Sequence, residues 1–178
     1  MLILLKQSAG RIFRNFWLFN LKLQFRVYLK FSELKKAAKK EGEKIGILFL
    51  DIDEFKKVND NFGHDIGDRL LEEIANRLED SLEGPDNLAR LGGDEFVMAL
   101  SDISSREQVI KIARRLIEKF KDPLLIEGEQ IAISVSGGIS IYPEDGRKLE
   151  DLIKNADFAM YQAKRKQKDL EVNQEQGE

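Results

Sequence analysis

The sequence predicts an α+β fold with an antiparallel central sheet flanked by helices, and two kinds of apolar pattern carry this prediction. Residues 45–50 form a short, almost wholly apolar run, which is typical of a buried central strand. Later segments repeat apolar residues at i, i+3 or i+4, and i+7, as amphipathic helices do. From residue 45 onward the order is strand, helix, two strands, helix, strand, helix. That order describes a ferredoxin-like βαββαβ core followed by one more helix.

Local signals set the approximate bounds of each predicted element. Strong helix formers end at a glycine stop at residue 42, and Ser104 or Ser105 caps a later helix. The predicted helices cover residues 33–42, 64–82, 104–121 and 149–168, with a helical turn within 55–63, and the predicted strands cover 45–50, 88–91, 96–100 and 130–142. We expect residues 169–178 to form a polar, frayed tail.

Composition and charge indicate a globular protein with an acidic body. Of the 178 residues, 42% are apolar and 34% are charged, and the absence of cysteine excludes a disulfide scaffold or a thiolate metal site. Residues 1–32 carry six basic groups and no acid; since the whole chain carries −3, the remainder carries −9. An acidic body argues against nucleic-acid binding. To handle a polyanion it would need a divalent metal and a few well-placed basic groups.

Residues 1–32 form a basic and apolar segment that we separate from one domain over 33–168 and the tail. Its apolar runs are too short to cross a bilayer, and no signal-peptide cleavage site stands out. A helix with Phe13, Phe16 and Trp17 could lie on an anionic membrane surface. It could instead pack on its own domain or on a second copy, which we favour. We therefore expect a cytoplasmic protein, with peripheral attachment to the inner face of the membrane as the alternative.

Two glycines followed by two carboxylates mark the most informative stretch. Apolar residues on both sides of Gly92-Gly93 predict a hairpin with the glycine pair at its tip, followed at once by Asp94 and Glu95. Glycine suits a positive φ or a ligand lying against the main chain, and paired carboxylates suit a cation or acid–base work. Gly-Gly-Asp is also an ordinary hairpin turn, so this pattern alone leaves both interpretations open.

A second acidic group follows the buried strand. Asp51-Ile52-Asp53 comes directly after residues 45–50, at a strand end where such folds place ligand chemistry. We expect the two aspartates to face opposite sides, so that only one serves a given site. Strand 45–50 should neighbour strand 96–100, which brings Asp51 close to the hairpin turn. Acids at adjoining strand ends predict a divalent-metal site for phosphoryl transfer.

Amide, carboxylate and ammonium groups elsewhere suit the remaining parts of a nucleotide. Asn59 and Asp68 could recognise the Watson–Crick edge of guanine, or could be a turn residue and a helix-entry acid. Lys164 and Lys168 lie four apart on one face of the last predicted helix, suited to a triphosphate, or they belong to a solvated basic face. His64, the only histidine, is interpreted as structural.

Four segments in order resemble the GGDEF family, the diguanylate cyclases, over about residues 26–168. The segments are ILFLDIDEFKKVNDNFGHDIGD, ARLGGDEFVMAL, ISVSGGISIYPEDG and NADFAMYQAK. The resemblance implies a fold like that of nucleotide cyclases and polymerase palm domains. It also implies condensation of two GTP into cyclic di-GMP with release of two pyrophosphates. The reaction would depend on Mg²⁺ or Mn²⁺ and take place at the interface of a homodimer.

The resemblance also implies roles for individual residues. Asp51, Asp94 and the backbone carbonyl of Ile52 would bind metal; Asp94 and Glu95 would be catalytic, with Glu95 helping to deprotonate the attacking 3′-hydroxyl. Asn59 and Asp68 would recognise guanine, the glycine pair would make room for the α-phosphate and ribose, and Lys164 would bind the terminal phosphates. Lys168 stands where the family often has arginine. The implied substrate-binding residues are Phe55, Lys56, Asn59, Asp68, Gly92, Gly93, Lys164 and Lys168.

Two departures from the family pattern affect the functional expectation. The usual N-terminal motif falls on residues 15–26, where only Leu23 and Arg26 fit. This favours an alternative: a catalytically silent module that binds GTP and acts as a receptor or interaction domain. The inhibitory product site, Arg-x-x-Asp in the family, here runs from Glu83 to Asp86, so its arginine is replaced by glutamate. We expect product feedback through that site to be absent or weak.

Overall fold

The computed structural model describes residues 29–82, 87–166 and 168–173, which form five helices and seven strands. Helix α1 covers 29–41 at the start of this part. The elements that follow are β1 (Lys44–Ile52), α2 (Phe55–Phe62), α3 (His64–Glu79), β2 (Asn87–Gly92), β3 (Glu95–Ile103), α4 (Arg106–Glu118), β4 (Leu124–Ile126), β5 (Glu129–Ile131), β6 (Val135–Tyr142), α5 (Leu149–Arg165) and β7 (Leu170–Val172).

The main sheet has the strand order β2-β3-β1-β6-β7. Its first four strands pair antiparallel, which confirms the ferredoxin-like core, whereas β7 pairs parallel with β6 and makes the sheet mixed. The expectation of a frayed tail is therefore wrong for β7. The backbone carbonyl of Asp169 accepts from Gly137 N–H (2.8 Å), and Asn173 N–H donates to Ile139 (2.7 Å). Three residues are too few to show a strand period in sequence.

The predicted strand over 130–142 is split into two strands. Its first residues lie in β5, which pairs with β4 in a separate two-stranded hairpin, and the main-sheet strand β6 begins only at Val135. The connection between β4 and β5 includes Glu127 and Gly128, both with positive φ. An alternation of apolar residues does not tell which sheet a strand joins. The sequence therefore predicted β5 and β6 as one continuous strand.

The two faces of β1 pack into two separate hydrophobic cores. Leu48, Leu50 and Ile52 pack with apolar residues of α3 and α4, whereas Ile47 and Phe49 pack with those of α1 and α5. Alternate residues of a strand point to opposite faces. The polar residues that continue the odd-numbered series beyond Phe49 therefore lie on the α5 side of the sheet, and this decides where the candidate site forms.

Helix α5 approaches the sheet most tightly at Gly138 of β6. A Cβ atom built there would lie 2.1 Å from the backbone oxygen of Ala156 and 2.2 Å from the backbone nitrogen of Met160. Only glycine permits this approach of helix and strand. It holds the second half of α5, including Lys164, against the ends of the central strands.

Charged residues hold the turn between β6 and α5. The guanidinium of Arg106 donates to Glu144 (3.0 Å) and to Asp145 (3.1 Å), whose side chain is buried. Asp145 also accepts from the backbone N–H of Ile141 (2.7 Å), and Lys44 makes an ion pair with Glu144. These contacts join α4, β1 and the turn that leads into α5, so they help to fix where that helix starts.

The predicted boundary between residues 32 and 33 falls inside α1, which runs unbroken over 29–41 with Phe31 and Leu34 in the core. Of the predicted N-terminal helical segment over 1–32, residues 1–28 lie outside the described residues. Within the part that is described, no helix is both long and apolar enough to cross a lipid bilayer.

Candidate active site

The acidic residues predicted to meet do so at the ends of β1 and β3. These strands are neighbours, as predicted, and Asp51 is paired with Glu95 in their register. The backbone N–H of Ile52 donates to the carbonyl of Asp94 (3.3 Å), which ties the strand end to the turn. The carboxylates of Asp51, Asp94 and Glu95 are therefore brought near one another by the pairing of two adjacent strands.

The glycine-rich hairpin is confirmed, with its tip shifted by one residue. Gly92 pairs with Glu95, so the two-residue turn consists of Gly93 and Asp94, and only Gly93 of the glycine pair has a positive φ, 52°. The pairing skips Leu91, which makes a β-bulge beside the turn. Apart from the chain neighbours of each glycine, no atom of the described residues lies within 4 Å of a Cβ built on Gly92 or Gly93, so the turn borders open space.

Asp51 and Asp53 both face α5, and the expectation that they face opposite sides is wrong. Residues two apart in a strand share a face. The ammonium of Lys164 makes an ion pair with Asp51 and lies 3.7 Å from the Oδ1 atom of Asp53. The Asp53 carboxylate also accepts hydrogen bonds from the hydroxyls of Ser134 and Ser136, both at 2.8 Å.

Negative charge exceeds positive charge at these strand ends. Partial burial raises the pKa of Asp51; its hydrogen bond with Lys164 opposes the rise, and the charge of Asp94 adds to it. Burial likewise raises the pKa of Glu95, with repulsion from Asp51 contributing. A divalent cation would relieve this repulsion, because it favours the ionised form of each carboxylate.

The donor set fits a hard divalent cation that also binds substrate. Within the described residues, no group of three or more histidine, cysteine, aspartate or glutamate side chains is close enough to hold a metal by itself. Mg²⁺ at phosphoryl-transfer sites commonly takes one or two protein carboxylates and completes its shell with water and phosphate oxygens. Asp51 and Asp94 supply carboxylates of that kind at adjoining strand ends.

Arg90 is a site residue to which sequence reasoning gave no role. Its Nε atom donates to the carbonyl of Gly93 (2.8 Å), so its side chain braces the turn from within β2. Burial lowers the pKa of Arg90, while the negative charges of Asp68 and Asp94 raise it. The charge of Arg90 is therefore influenced both by the predicted guanine-binding residue Asp68 and by the predicted metal ligand Asp94. The sequence feature that could have pointed to this role is the position of Arg90, a basic residue inside an otherwise apolar predicted strand.

One predicted guanine-binding residue, Asn59, lies where α2 packs on α3. A Cβ atom on Gly67 would lie 1.9 Å from the Oδ1 atom of Asn59 and 3.3 Å from the ring of Phe55. The Asn59 amide therefore lies over Gly67, and Asp68, the next residue of α3, is exposed. Lys56 is exposed on α2. The absence of a side chain at position 67 makes this arrangement possible.

Lys168 does not share a helix face with Lys164, so that expectation is wrong. Helix α5 ends at Arg165, and the N–H of Lys168 donates to the carbonyl of Ala163 (3.0 Å) as the chain turns towards β7. The ammonium of Lys168 pairs with Glu171 (2.9 Å). Its role in substrate binding stays a prediction.

Three other predicted features have simpler outcomes. His64 is exposed and is the first residue of α3. Glu83 and Asp86, at the position of the inhibitory product site, lie outside the described residues. So do residues 15–26, where the family's N-terminal motif is largely missing.

Comparison with known proteins finds GGDEF proteins both in sequence and in structure. A family model described as the GGDEF domain of diguanylate cyclases matches residues 22–170. The diguanylate cyclase TpbB of Pseudomonas aeruginosa (strain UCBPP-PA14) is 38% identical over 137 residues, which are 76% of this chain and 32% of TpbB. The cyclic di-GMP phosphodiesterase NbdA of the same species is 39% identical over 123 residues, 69% of this chain and 16% of NbdA.

The fold matches as well. The crystal structure of the GGDEF domain of YfiN or TpbB from Pseudomonas aeruginosa aligns with a TM-score of 0.78 and 34% identity, covering 84% of this chain and 95% of that one. The chain spans less than a third of either curated relative.

Proposed function

Because this chain belongs to the GGDEF family of diguanylate cyclase domains, we propose that it condenses two GTP molecules into cyclic di-GMP and releases two pyrophosphates. The observation that carries the proposal is the meeting of Asp51, Asp94 and Glu95 at adjoining strand ends, beside Lys164 and an open glycine turn. This combination supplies what a nucleotidyl transfer needs: metal ligands, a proton acceptor, a cation for the leaving phosphates and room for the nucleotide.

Asp51, Asp94 and the backbone carbonyl of Ile52 would hold Mg²⁺ or Mn²⁺. The bound metal would neutralise charge on the phosphate oxygens. Glu95, which faces the same side of the sheet as Asp51, accepts the proton of the attacking 3′-hydroxyl. Its raised pKa suits this task, because a general base works best when its pKa approaches the working pH.

The other residues bind and orient GTP. Asn59 and Asp68 accept and donate hydrogen bonds at the guanine edge, which their position on the packed pair α2 and α3 supports. Gly92 and Gly93 leave space for the α-phosphate and ribose. The terminal phosphates lie against the ammonium of Lys164, with Phe55, Lys56 and Lys168 contributing further contacts. In this arrangement Lys164 exchanges its ion pair with Asp51 for the phosphates when metal binds.

Each subunit binds one GTP, and two copies of the chain meet with their sites facing each other. One site holds a single 3′-hydroxyl beside Glu95, so formation of two phosphodiester bonds requires a second nucleotide held by a second copy. The acidic body agrees with a small-molecule substrate that arrives with a divalent metal, rather than with nucleic acid.

A silent GTP-binding module is the alternative, and one observation favours it. The family's N-terminal motif is largely lost at 15–26. The two proposals agree on GTP binding and differ on turnover, so chemistry rather than affinity separates them.

The rate of pyrophosphate release from GTP with Mg²⁺ tests the proposal. We expect Glu95→Gln to lower this rate by about a hundredfold or more, the usual effect of losing a general base. Asp122→Asn, which removes an exposed carboxylate in the α4–β4 connection, is the matched control and should keep the native rate. Equal rates for Glu95→Gln and the native chain would overturn the role of Glu95. Binding of 3′-deoxy-GTP, which lacks the attacking hydroxyl, without release of pyrophosphate from GTP would favour the silent module.

A further inference from the structure

Asp53 takes no part in the reaction proposed above, yet its carboxylate is held firmly. The hydroxyl of Ser134 donates to Oδ2 and the hydroxyl of Ser136 donates to Oδ1, both at 2.8 Å. The backbone N–H of Asp53 donates to the carbonyl of Ser134 (2.9 Å), and Ser136 is buried. Because each carboxylate oxygen has a hydroxyl partner, Asp53 cannot turn freely towards a metal bound at Asp51.

The firmly held carboxylate lies beside the flexible ammonium of Lys164. That ammonium contacts Asp51 and lies 3.7 Å from Oδ1 of Asp53. On the proposed function, Asp51 binds the metal, whose charge then satisfies it. Asp53 remains as the fixed counter-charge of Lys164, and the close approach of α5 at Gly138 keeps the lysine within reach.

We infer that Asp53 is a positioning residue that holds the Lys164 ammonium at the edge of the nucleotide site, aligned for the terminal phosphates of GTP. This inference rests on the proposed function. Ser134 and Ser136 contribute to this role, because their hydrogen bonds keep the Asp53 carboxylate in one orientation. Asp51 and Asp53 therefore have different roles: Asp51 binds metal, and Asp53 orients the Lys164 ammonium that binds phosphate.

The physical reason is preorganisation of a long side chain. A lysine side chain loses rotamer entropy when it is fixed, and a partner that fixes it beforehand reduces the cost of binding. Simple electrostatics predicts the opposite sign: a negative charge near a triphosphate repels it, so removing the charge should strengthen binding. The direction of the effect therefore separates positioning from mere repulsion.

Calorimetry with Mg²⁺ and two probes tests the inference. The probes are 3′-deoxy-GTP, which carries the terminal phosphates and cannot be condensed, and GMP, which lacks those phosphates. We expect Asp53→Asn to weaken 3′-deoxy-GTP binding by about tenfold and to leave GMP binding unchanged. In a Lys164→Ala background, Asp53→Asn should have no further effect, because it acts through that lysine. Asp122→Asn serves as the control for loss of one carboxylate.

Three results would overturn the inference: unchanged or tighter binding of 3′-deoxy-GTP by Asp53→Asn, equal weakening for both probes, or full effect in the Lys164→Ala background. Thermal unfolding checks that each variant is folded. If Asp53→Asn does not fold, Ser134→Ala replaces it, since this variant keeps the charge and loosens the carboxylate. It should weaken 3′-deoxy-GTP alone, and unchanged affinity would refute the inference. A native chain that binds neither probe would overturn the proposed function as well, which separates the two failures.

Discussion

Gly138→Ala should destabilise the fold and displace α5, the helix that carries Lys164. The added Cβ would lie 2.1 Å from the Ala156 carbonyl oxygen, whereas ordinary contact begins at 3.4 Å, so helix and strand must separate by about 1.3 Å. That oxygen and the Met160 nitrogen, which would lie 2.2 Å from the added Cβ, both belong to the backbone of α5 and cannot rotate away. Overpacking of this kind typically costs about 1–3 kcal/mol, and we expect the upper end, about 3 kcal/mol of unfolding free energy.

The neighbouring glycine provides a matched control. A Cβ on Gly137 would lie 2.9 Å from terminal side-chain atoms of Ile117 and Leu170, which can shift, on the opposite face of the sheet. We expect Gly137→Ala to cost about 1 kcal/mol and to keep 3′-deoxy-GTP affinity. Gly138→Ala should weaken that affinity, because α5 carries Lys164. Urea unfolding measures the stabilities. A Gly138→Ala variant no less stable than Gly137→Ala would refute the packing argument.

Three further predictions concern room for the nucleotide, base recognition and charge. The Cβ added by Gly92→Ala meets no described atom within 4 Å apart from its chain neighbours, so this variant should unfold in urea like the native chain. It should bind 3′-deoxy-GTP about tenfold more weakly in calorimetry. Retained affinity would contradict the role of Gly92. Gly67→Ala forces the Asn59 amide aside, so GMP affinity should fall about tenfold in the same assay, with little preference left over AMP. The hydrogen bond from Lys44 lowers the pKa of Glu144 in the folded chain. The stability that ionised Glu144 adds is therefore complete above its usual pKa of 4.5 and is lost as the pH falls through its lowered pKa. The difference in unfolding free energy between the native chain and Glu144→Gln should vanish when unfolding is measured in acid.

The sequence predicts the core of the fold because its patterns are strong and local. The apolar run over 45–50 and the run after Glu95 identify two central strands, and the predicted ferredoxin-like topology makes them neighbours. From that pairing, the meeting of Asp51 with the hairpin acids follows directly. The ends of elements are predicted less well: helix α5 ends at Arg165 rather than at 168, because the chain turns there to form β7.

Contacts between distant segments could not be predicted from the sequence. Strand parity alone places Asp51 and Asp53 on one face, but their shared contact with Lys164 depends on how closely α5 packs against Gly138. The hydroxyl partners of Asp53 are Ser134, just before β6, and Ser136, within it, both more than 80 residues away. Arg90 braces the Gly93 carbonyl through a bulged hairpin, and a bulge leaves no clear period in sequence.

Chromatography of the products formed from GTP and Mg²⁺ tests the central claim most directly. The strand-end carboxylates, Lys164 and the open glycine turn predict cyclic di-GMP, with two pyrophosphates released for each molecule formed. Unreacted GTP, at protein concentrations where two copies associate and 3′-deoxy-GTP binds, would contradict the claim that this site condenses nucleotides.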